Sequence, residues 1–347
     1  MLPPHMRKPG KLHDATDRTP PGLRVLVTDP IHDDALTLLT EHGFHVEQRL
    51  GLSPSALQAI IPHYEALICR TSTKVGSDLL AAATKLKCIG LSSTGYDQID
   101  IVAASKQGVA VIGLPAHNRT INPATSGNFV STAEHTILLI LAALGDFYNA
   151  AASMKAGRWE KSQFLGREAS GKTLGIIGLG RIGLLVAERA RAFGMRPIAY
   201  DPYRSGTESE QCGVPLVSFD ALCAQADIIT IHAPKTPETV DLINEHAFSQ
   251  MQKGVILVNA GRSEIINTPA LLAALDQGIV SRAALDVFKD EPHGVEWELV
   301  NHKHVIATPH IAGSTTEALR RISYETAQSV IDFLNSRDVP NIINPID

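Results

Sequence analysis

The stretch that decides the fold is TLGIIGLGRIGLLVAERARAFG, residues 173–194. It opens as an apolar run and continues as an amphipathic helical pattern. Between the two lies Gly178-Leu179-Gly180-Arg181-Ile182-Gly183, a GxGxxG. The motif is weak by itself, but a strand before it and a helix after it are the context it requires. Gly178 permits the tight turn, Gly180 lets a pyrophosphate approach the backbone, and Gly183 allows close packing of helix on strand. The helix N-terminus adds free N–H groups and the positive end of its dipole.

Working outward, the next apolar run, RPIAYD, ends in Asp201, eighteen residues after Gly183. An acidic residue at that place accepts from the adenosine ribose hydroxyls and repels a 2′-phosphate, so the pair of signals points to NAD rather than NADP. Arg204, close by, works in the opposite direction. Further short apolar runs follow at DIITIHA, GVILVNA, RAALDV and HVIATPH. The same rhythm precedes the motif: from residue 23, LRVLVTD, FHVEQR, YEALICRT, LKCIGLSS and VAVIGL alternate with the helical patterns DDALTLLTEHG, PSALQAII, SDLLAAAT and IDIVAASKQG. Such alternation predicts an α/β fold, with parallel sheets covered by helices on both faces. A long helix is expected from a capping box at Ser131-Thr132-Ala133-Glu134 through about residue 156.

Composition narrows the function classes. At 347 residues the chain suggests two domains, and 44% hydrophobic with 19% charged residues fits a globular protein. A net charge of −5 without a long basic block argues against nucleic acid as a partner. The run ILLILAAL, 137–144, is short of the roughly 20 apolar residues a bilayer span needs, so no membrane partner is expected. Residues 1–22 are rich in proline and charge, lack the apolar core of a signal peptide, and read as a disordered leader. Cys69, Cys88, Cys212 and Cys223 form no CxxC and read as reduced thiols of a cytoplasmic protein. His293, His302 and His304 match no metal-site spacing, so no metal is expected.

Three strand ends after the glycine motif carry polar groups. VNAGRSE places Arg262 just past an apolar run, ALDVFKDEP places Asp286 and then Glu291, and TPHIAG places His310. In open α/β sheets ligands bind beyond the carboxyl ends of the strands. Reduction of a 2-oxo acid needs a hydride on carbon and a proton on the carbonyl oxygen. A histidine titrates in the right range to exchange that proton, a carboxylate beside it holds the imidazolium, and an arginine binds the substrate carboxylate bidentately. His310 is thus the candidate acid–base, Glu291 its orienting partner and Arg262 the anchor.

The set GLGRIG, YDP, NAGRSEIINTPAL, ALDVFKDEP and TPHIAGSTTEA resembles the D-isomer-specific 2-hydroxyacid dehydrogenases over nearly the whole chain from about residue 23, in family order. The resemblance implies two Rossmann-like, doubly wound parallel-sheet domains with a cleft between them. The substrate domain would be discontinuous, 23–125 plus 312–347, and the NAD-binding domain would be 126–311. It implies the catalytic set Arg262, Glu291 and His310. It also implies cofactor contacts at Arg181 and Ile182, at His232, Ala233 and Pro234, at Ala260 and Asp286, and at His310 and Gly313, with Asp286 tuning the acid–base pair. Family members pair through the helix that matches 131–156, so a homodimer is expected.

On the substrate side, CRTSTKV looks like the substrate loop of phosphoglycerate dehydrogenases, which makes Arg70 and Ser72 candidate contacts. LSSTGYDQID matches a loop whose N–H groups bind the substrate carboxylate, implicating Ser93, Thr94 and Gly95. Phosphoglycerate dehydrogenases tend to carry an arginine where this chain has Leu91, which speaks against 3-phosphoglycerate. The stretch 116–127 is long for its place and holds His117, Asn118, Arg119 and Asn122. Arg119 is expected to bind a second anionic group on the substrate. The resemblance thus implies a small 2-oxo or 2-hydroxy acid as the partner. Two alternatives stay open: a same-fold dehydrogenase with a donor such as phosphite, and an NAD(H)-sensing protein resembling the C-terminal-binding-protein corepressors. Formate is disfavoured because Glu291 is present.

Overall fold

All eleven apolar runs become strands, and every strand pairing is parallel. The computed structural model describes residues 22–114, 127–204, 207, 212–291 and 294–346. Arg119 with its neighbours, His293 and nearly all of the leader lie outside them. The chain divides into two compact units: one runs to Gly127 and resumes at Leu319, and the other is Asn128–Ala318.

The first unit holds β1 (Arg24–Val27), β2 (His45–Gln48), β3 (Ala66–Cys69), β4 (Cys88–Leu91) and β5 (Ala110–Ile112). Their order is β2-β1-β3-β4-β5. The central strands ALIC and CIGL are buried along their full length, as expected of a sheet covered on both faces, while the edge strand HVEQ is half exposed. The last helix, Thr316–Leu334, packs its later turns on this sheet. Gly90 on β4 makes room for it, because a Cβ there would lie 2.6 Å from Val330 Cγ2. The tail then covers the β5 edge. Ile342 bridges Ile112 in antiparallel sense, and Asn344 accepts from Val111 N at 2.7 Å while donating to Val109 O at 3.0 Å. A paired edge cannot template aggregation.

The second unit holds β6 (Thr173–Ile177), β7 (Arg196–Tyr200), β8 (Ile228–Ile231), β9 (Val255–Asn259), β10 (Val280–Leu285) and β11 (Val305–Ala307). Their order is β11-β10-β9-β8-β6-β7. Alternate residues of the central strands enter two separate cores. Ile229, Leu257 and Leu285 join one, and Ile228, Val258 and Ala284 the other, so both faces are filled. The chain steps from β6 outward to β7 and then returns to β8 on the other side. This makes β6/β8 the switch point, where ligands bind in doubly wound sheets.

The expected single helix from 131 to 156 is two helices, Phe129–Gly145 and Phe147–Lys155, bent by 70°. The break is Asp146, in the left-handed region at φ 50°. Arg282 holds it: one guanidinium nitrogen pairs with Asp146 Oδ2 at 2.8 Å and the other donates to Ala143 O at 3.2 Å, capping a terminal carbonyl. The start differs as well. Asn128 is the N-cap, and Ser131 and Thr132 turn their hydroxyls back to Asn128 O, so the capping box does not form. Among the described residues no single helix is long and apolar enough to cross a membrane. The run 137–144 is largely buried in the second unit.

Candidate active site

The glycine turn is built by exclusion. Gly178 has φ 89°, and a Cβ there would lie 2.7 Å from Ala233 N and 2.8 Å from the His232 carbonyl carbon. A Cβ on Gly183 would collide with Gly178 O, so the helix Arg181–Ala192 can sit this close to β6 only with glycine there. Gly180 is different, because nothing lies within 4 Å of its Cβ position. Two glycines close the turn and the third leaves clearance in front of it. Gly180 is also the helix N-cap and makes no side-chain cap hydrogen bond. Beside it, Arg181 stacks its guanidinium 4.3 Å from the Phe129 ring centre and leaves Nη1 buried without a partner. Burial pushes that guanidinium's pKa down from its ordinary value. An unpaired buried donor, a cleared glycine and the helix N-terminus fit a pyrophosphate. Ile182 packs against the core beneath.

Asp201, just past β7, accepts from Leu179 N at 2.9 Å through Oδ2 and from Tyr203 N at 3.0 Å through Oδ1. The carboxylate is therefore locked beside the glycine turn, with a lone pair remaining on each oxygen for ribose hydroxyls. His232, just past β8, donates its N–H to Ile177 O at 2.7 Å, and its ring Nε2 pairs with Thr230 Oγ1 at 3.1 Å. Its Nδ1 is buried and unpartnered, and burial pushes its pKa down to about 3. The ring is neutral near pH 7 and adds no charge to the switch point. Ala233 is half-buried and Pro234 exposed.

The other candidates follow β9, β10 and β11, three neighbouring strands running the same way, so their loops leave one edge of the sheet. Hydrogen bonds continue past the strand ends: Asp286 N donates to Asn259 O, and His310 N to Asp286 O, each at 2.9 Å. Asn259 shapes the first loop, donating to Arg262 O at 2.9 Å and accepting from Gly261 N at 2.9 Å. Arg262 is half-buried and Ala260 buried. Glu291 Oε2 is fixed by Phe288 N at 3.1 Å, and Glu291 Oε1 faces His310 Nδ1 within hydrogen-bond reach. The His310 side chain keeps 41% of its exposure, so it is open to solvent while paired. Its backbone sits at φ 52°, a conformation that a non-glycine residue holds only when its surroundings impose it.

The resemblance puts Asp286 among the cofactor contacts; in the structure it is 0% exposed, and both of its oxygens turn onto the loop 308–312. Oδ1 accepts from Thr308 Oγ1 at 2.6 Å and from Ile311 N at 2.9 Å, and Oδ2 from Ala312 N at 2.8 Å. Burial alone would raise its pKa, but hydrogen bonds from His135, Thr308, Ile311 and Ala312 outweigh it and hold the carboxyl below its ordinary value. Hydrogen bonds to a charged acceptor contribute about 1.5–3 kcal/mol each, which makes this outcome reasonable against a desolvation cost of several kcal/mol. Gly313 ends the loop against Asn128, whose amide nitrogen occupies the place of a Cβ. His135 and Thr308 were not singled out in the sequence. Only the sheet register brings them to Asp286.

In the first unit Arg70 follows β3. Its N–H donates to Asp29 Oδ2 at 2.6 Å and its carbonyl accepts from Gln98 at 3.0 Å. Thr73 donates to the same Asp29 oxygen at 2.9 Å. Arg70 Nε is buried without a partner, and burial pulls its pKa down against the pull of Asp29 upward. Ser72 is exposed. Ser93 is buried and donates its hydroxyl to Gly95 O at 2.8 Å, shaping the loop on which Thr94 is exposed. Leu91 is 1% exposed and fills the core, so its identity answers to packing and carries little weight against a phosphorylated substrate. Among the described residues no group of three or more His, Cys, Asp or Glu could hold a metal ion.

Residues 137–312 match the model of the D-isomer specific 2-hydroxyacid dehydrogenase NAD-binding domain. The chain is 42% identical over 322 residues to a D-3-phosphoglycerate dehydrogenase of Archaeoglobus fulgidus, covering 93% of this chain and 59% of that one. It is 39% identical over 321 residues to the human D-3-phosphoglycerate dehydrogenase, covering 92% and 58%. The chain therefore spans about three-fifths of the length of these relatives. Among solved structures, the TT0316 protein of Thermus thermophilus superposes with a TM-score of 0.82 at 32% identity, covering 92% of this chain and all of that one. A D-lactate dehydrogenase of Aquifex aeolicus, complexed with NAD and lactic acid, gives 0.79 at 29%, covering 93% and all of it. With its glycine turn, the Asp201 carboxylate locked beside it and an NAD-binding domain matched over half its length, the chain belongs to the D-isomer specific 2-hydroxyacid dehydrogenases.

Proposed function

We propose that the protein is an NAD-dependent oxidoreductase that interconverts a small 2-oxo acid and its D-2-hydroxy acid. The observation that carries this is the pairing of a partly exposed His310 with Glu291, one strand end away from Arg262. Arg262 binds the substrate carboxylate and polarises the carbonyl. His310 presents its Nε2, the nitrogen turned away from Glu291, to the substrate oxygen and gives or takes the proton there. Glu291, with its second oxygen tied to Phe288 N, keeps the ring oriented and stabilises the imidazolium. A nicotinamide cofactor, which Gly180, Arg181 and Asp201 would hold at the glycine turn, would supply the hydride chemistry at the substrate carbon.

We assign substrate recognition to the first unit, the 23–125 and 312–347 portion, through Arg70, Ser72, Ser93, Thr94 and Gly95, and cofactor binding to 126–311. A second anionic group on the substrate is the favoured class. Its supports are the buried, unpartnered Nε of Arg70 and relatives named D-3-phosphoglycerate dehydrogenase. We also infer a homodimer and a cytoplasmic location. The homodimer is supported by the exposed apolar side chains of the 147–165 segment, among them Trp159 and Leu165 at 81% and 89% exposed, of the kind a second copy covers. The four cysteines are free thiols.

The test is NADH oxidation against a panel of 2-oxo acids with simple, bulky, dicarboxylic, phosphorylated and phosphonylated side chains. Turnover on dianionic members supports the substrate class, and turnover confined to simple acids overturns it. His310→Gln should lower kcat by about 10²–10⁴-fold, the range of general acid–base catalysis. NADH binding with no turnover on any member would overturn the enzymatic reading.

A further inference from the structure

The loop that carries His310 is held from behind by a residue of a different element. His135 lies on the helix Phe129–Gly145, with its side chain 11% exposed. Its Nε2 is 3.2 Å from Thr308 Oγ1 and 3.4 Å from Asp286 Oδ1. Thr308 gives its hydroxyl proton to Asp286, so Nε2 must carry the proton shared between Thr308 Oγ1 and Asp286 Oδ1. Asp286 in turn fixes the N–H groups of Ile311 and Ala312, and its carbonyl accepts from His310 N. Asp286 thus links a helix of the core, through His135, to the left-handed turn at His310. Asp286 is a fully buried anion, and its protein donors are limited. Without His135, Oδ1 would lose its only side-chain N–H donor among the described contacts.

We propose that His135 is a positioning residue: its Nε2–H braces Asp286 and Thr308 and so sets the turn that aims His310. The inference rests on the proposed dehydrogenase function for its kinetic effect, but the bracing itself does not. His135 bonds to Thr308 and Asp286 rather than to the paired side chains of His310 and Glu291, so its loss should lower kcat and leave NADH affinity and KM nearly unchanged. A residue of comparable bulk without the donor, phenylalanine, should lose the effect. Glutamine, whose amide N–H can take the place of Nε2–H, should restore it.

The experiment compares wild type, His135→Phe and His135→Gln in three readouts. These are kcat and KM with the best 2-oxo acid of the panel, NADH affinity by fluorescence titration, and amide hydrogen exchange of the peptide covering 308–314. The expected result is a roughly 10- to 100-fold lower kcat for His135→Phe, from loss of alignment at the reacting centre. Its NADH Kd should stay within about twofold of wild type and exchange at Ile311 and Ala312 should be faster, with His135→Gln recovering most of both. Unchanged exchange, unchanged kcat, or a kcat loss that glutamine does not recover would overturn the proposal. Absence of turnover in the wild type would count against the enzymatic function instead, and the exchange data would then decide the role of His135 alone.

Discussion

Glu291 faces His310 Nδ1 with one carboxylate oxygen and is tied to Phe288 N, at 3.1 Å, by the other. The tie matters because a free carboxylate on a loop could swing away, whereas this one is anchored within its own turn. Replacing Glu291 with Gln keeps the shape and removes the charge that stabilises an imidazolium. Its kcat should fall about 10- to 100-fold, with NADH affinity unchanged because the glycine turn is untouched. Steady-state kinetics beside NADH titration checks this. A variant with wild-type kcat would remove Glu291 from the mechanism.

Asp201 does two things at once, anchoring Leu179 N of the glycine turn and presenting lone pairs beyond it. Asp201→Ala should therefore weaken NADH binding by about tenfold or more, since tenfold corresponds to 1.4 kcal/mol, less than a charge-assisted hydrogen bond contributes. It should also narrow the preference for NADH over NADPH, because the carboxylate no longer repels a 2′-phosphate. The ratio of the two dissociation constants is the measurement. An unchanged ratio would mean that something other than Asp201 selects the cofactor.

Gly183→Ala places a methyl group against Gly178 O. Overpacking of this kind costs about 1–3 kcal/mol, and the helix must move away from the turn that its N-terminus serves. Lower thermal stability together with lost NADH affinity is expected. Gly180→Ala has free space instead, so it should fold normally and lose NADH affinity alone. Equal destabilisation of both variants would contradict the division of labour between these glycines.

Stability against acid should be limited in part by the first unit. Glu47 accepts from Tyr64 Oη at 2.5 Å and pairs with Arg49, and these hold its pKa down at about 2, from 4.5. A lowered carboxylate pKa stabilises the fold above pH 4.5, and that contribution is lost as pH falls from there towards 2. Burial and the Glu47 hydrogen bond push Tyr64 up from 10.0 to about 12, so on the alkaline side the contribution of this contact is full below pH 10 and is lost as pH rises from there through about 12. Unfolding midpoints for wild type and Glu47→Gln should diverge at neutral pH and converge towards pH 2. Parallel curves would show that the pair contributes nothing.

Much of this protein was legible in the chain. The eleven strands, their parallel sense, the glycine turn and Asp201 follow from local patterns, because strand burial and turn geometry are set by residues adjacent in sequence. The strand ends bearing Arg262, Glu291 and His310 were legible for the same reason, since a polar residue just past a buried run has only one edge of the sheet to occupy. What the chain could not announce depends on partners far away in sequence. The helix breaks at Asp146 because Arg282, on β10, reaches it, and no periodicity in 131–156 contains that arginine. Leu91 reads as a missing substrate contact until its burial shows a core position. Nothing in the run ALDVFKDEP announces that Asp286 is fully enclosed and bonded to the 308–312 loop, and only the packing of the 129–145 helix brings His135 to its side. Sequence settles what each segment prefers to be. The tertiary structure decides which buried charges find donors, because that depends on the few ångströms between elements rather than on any element alone.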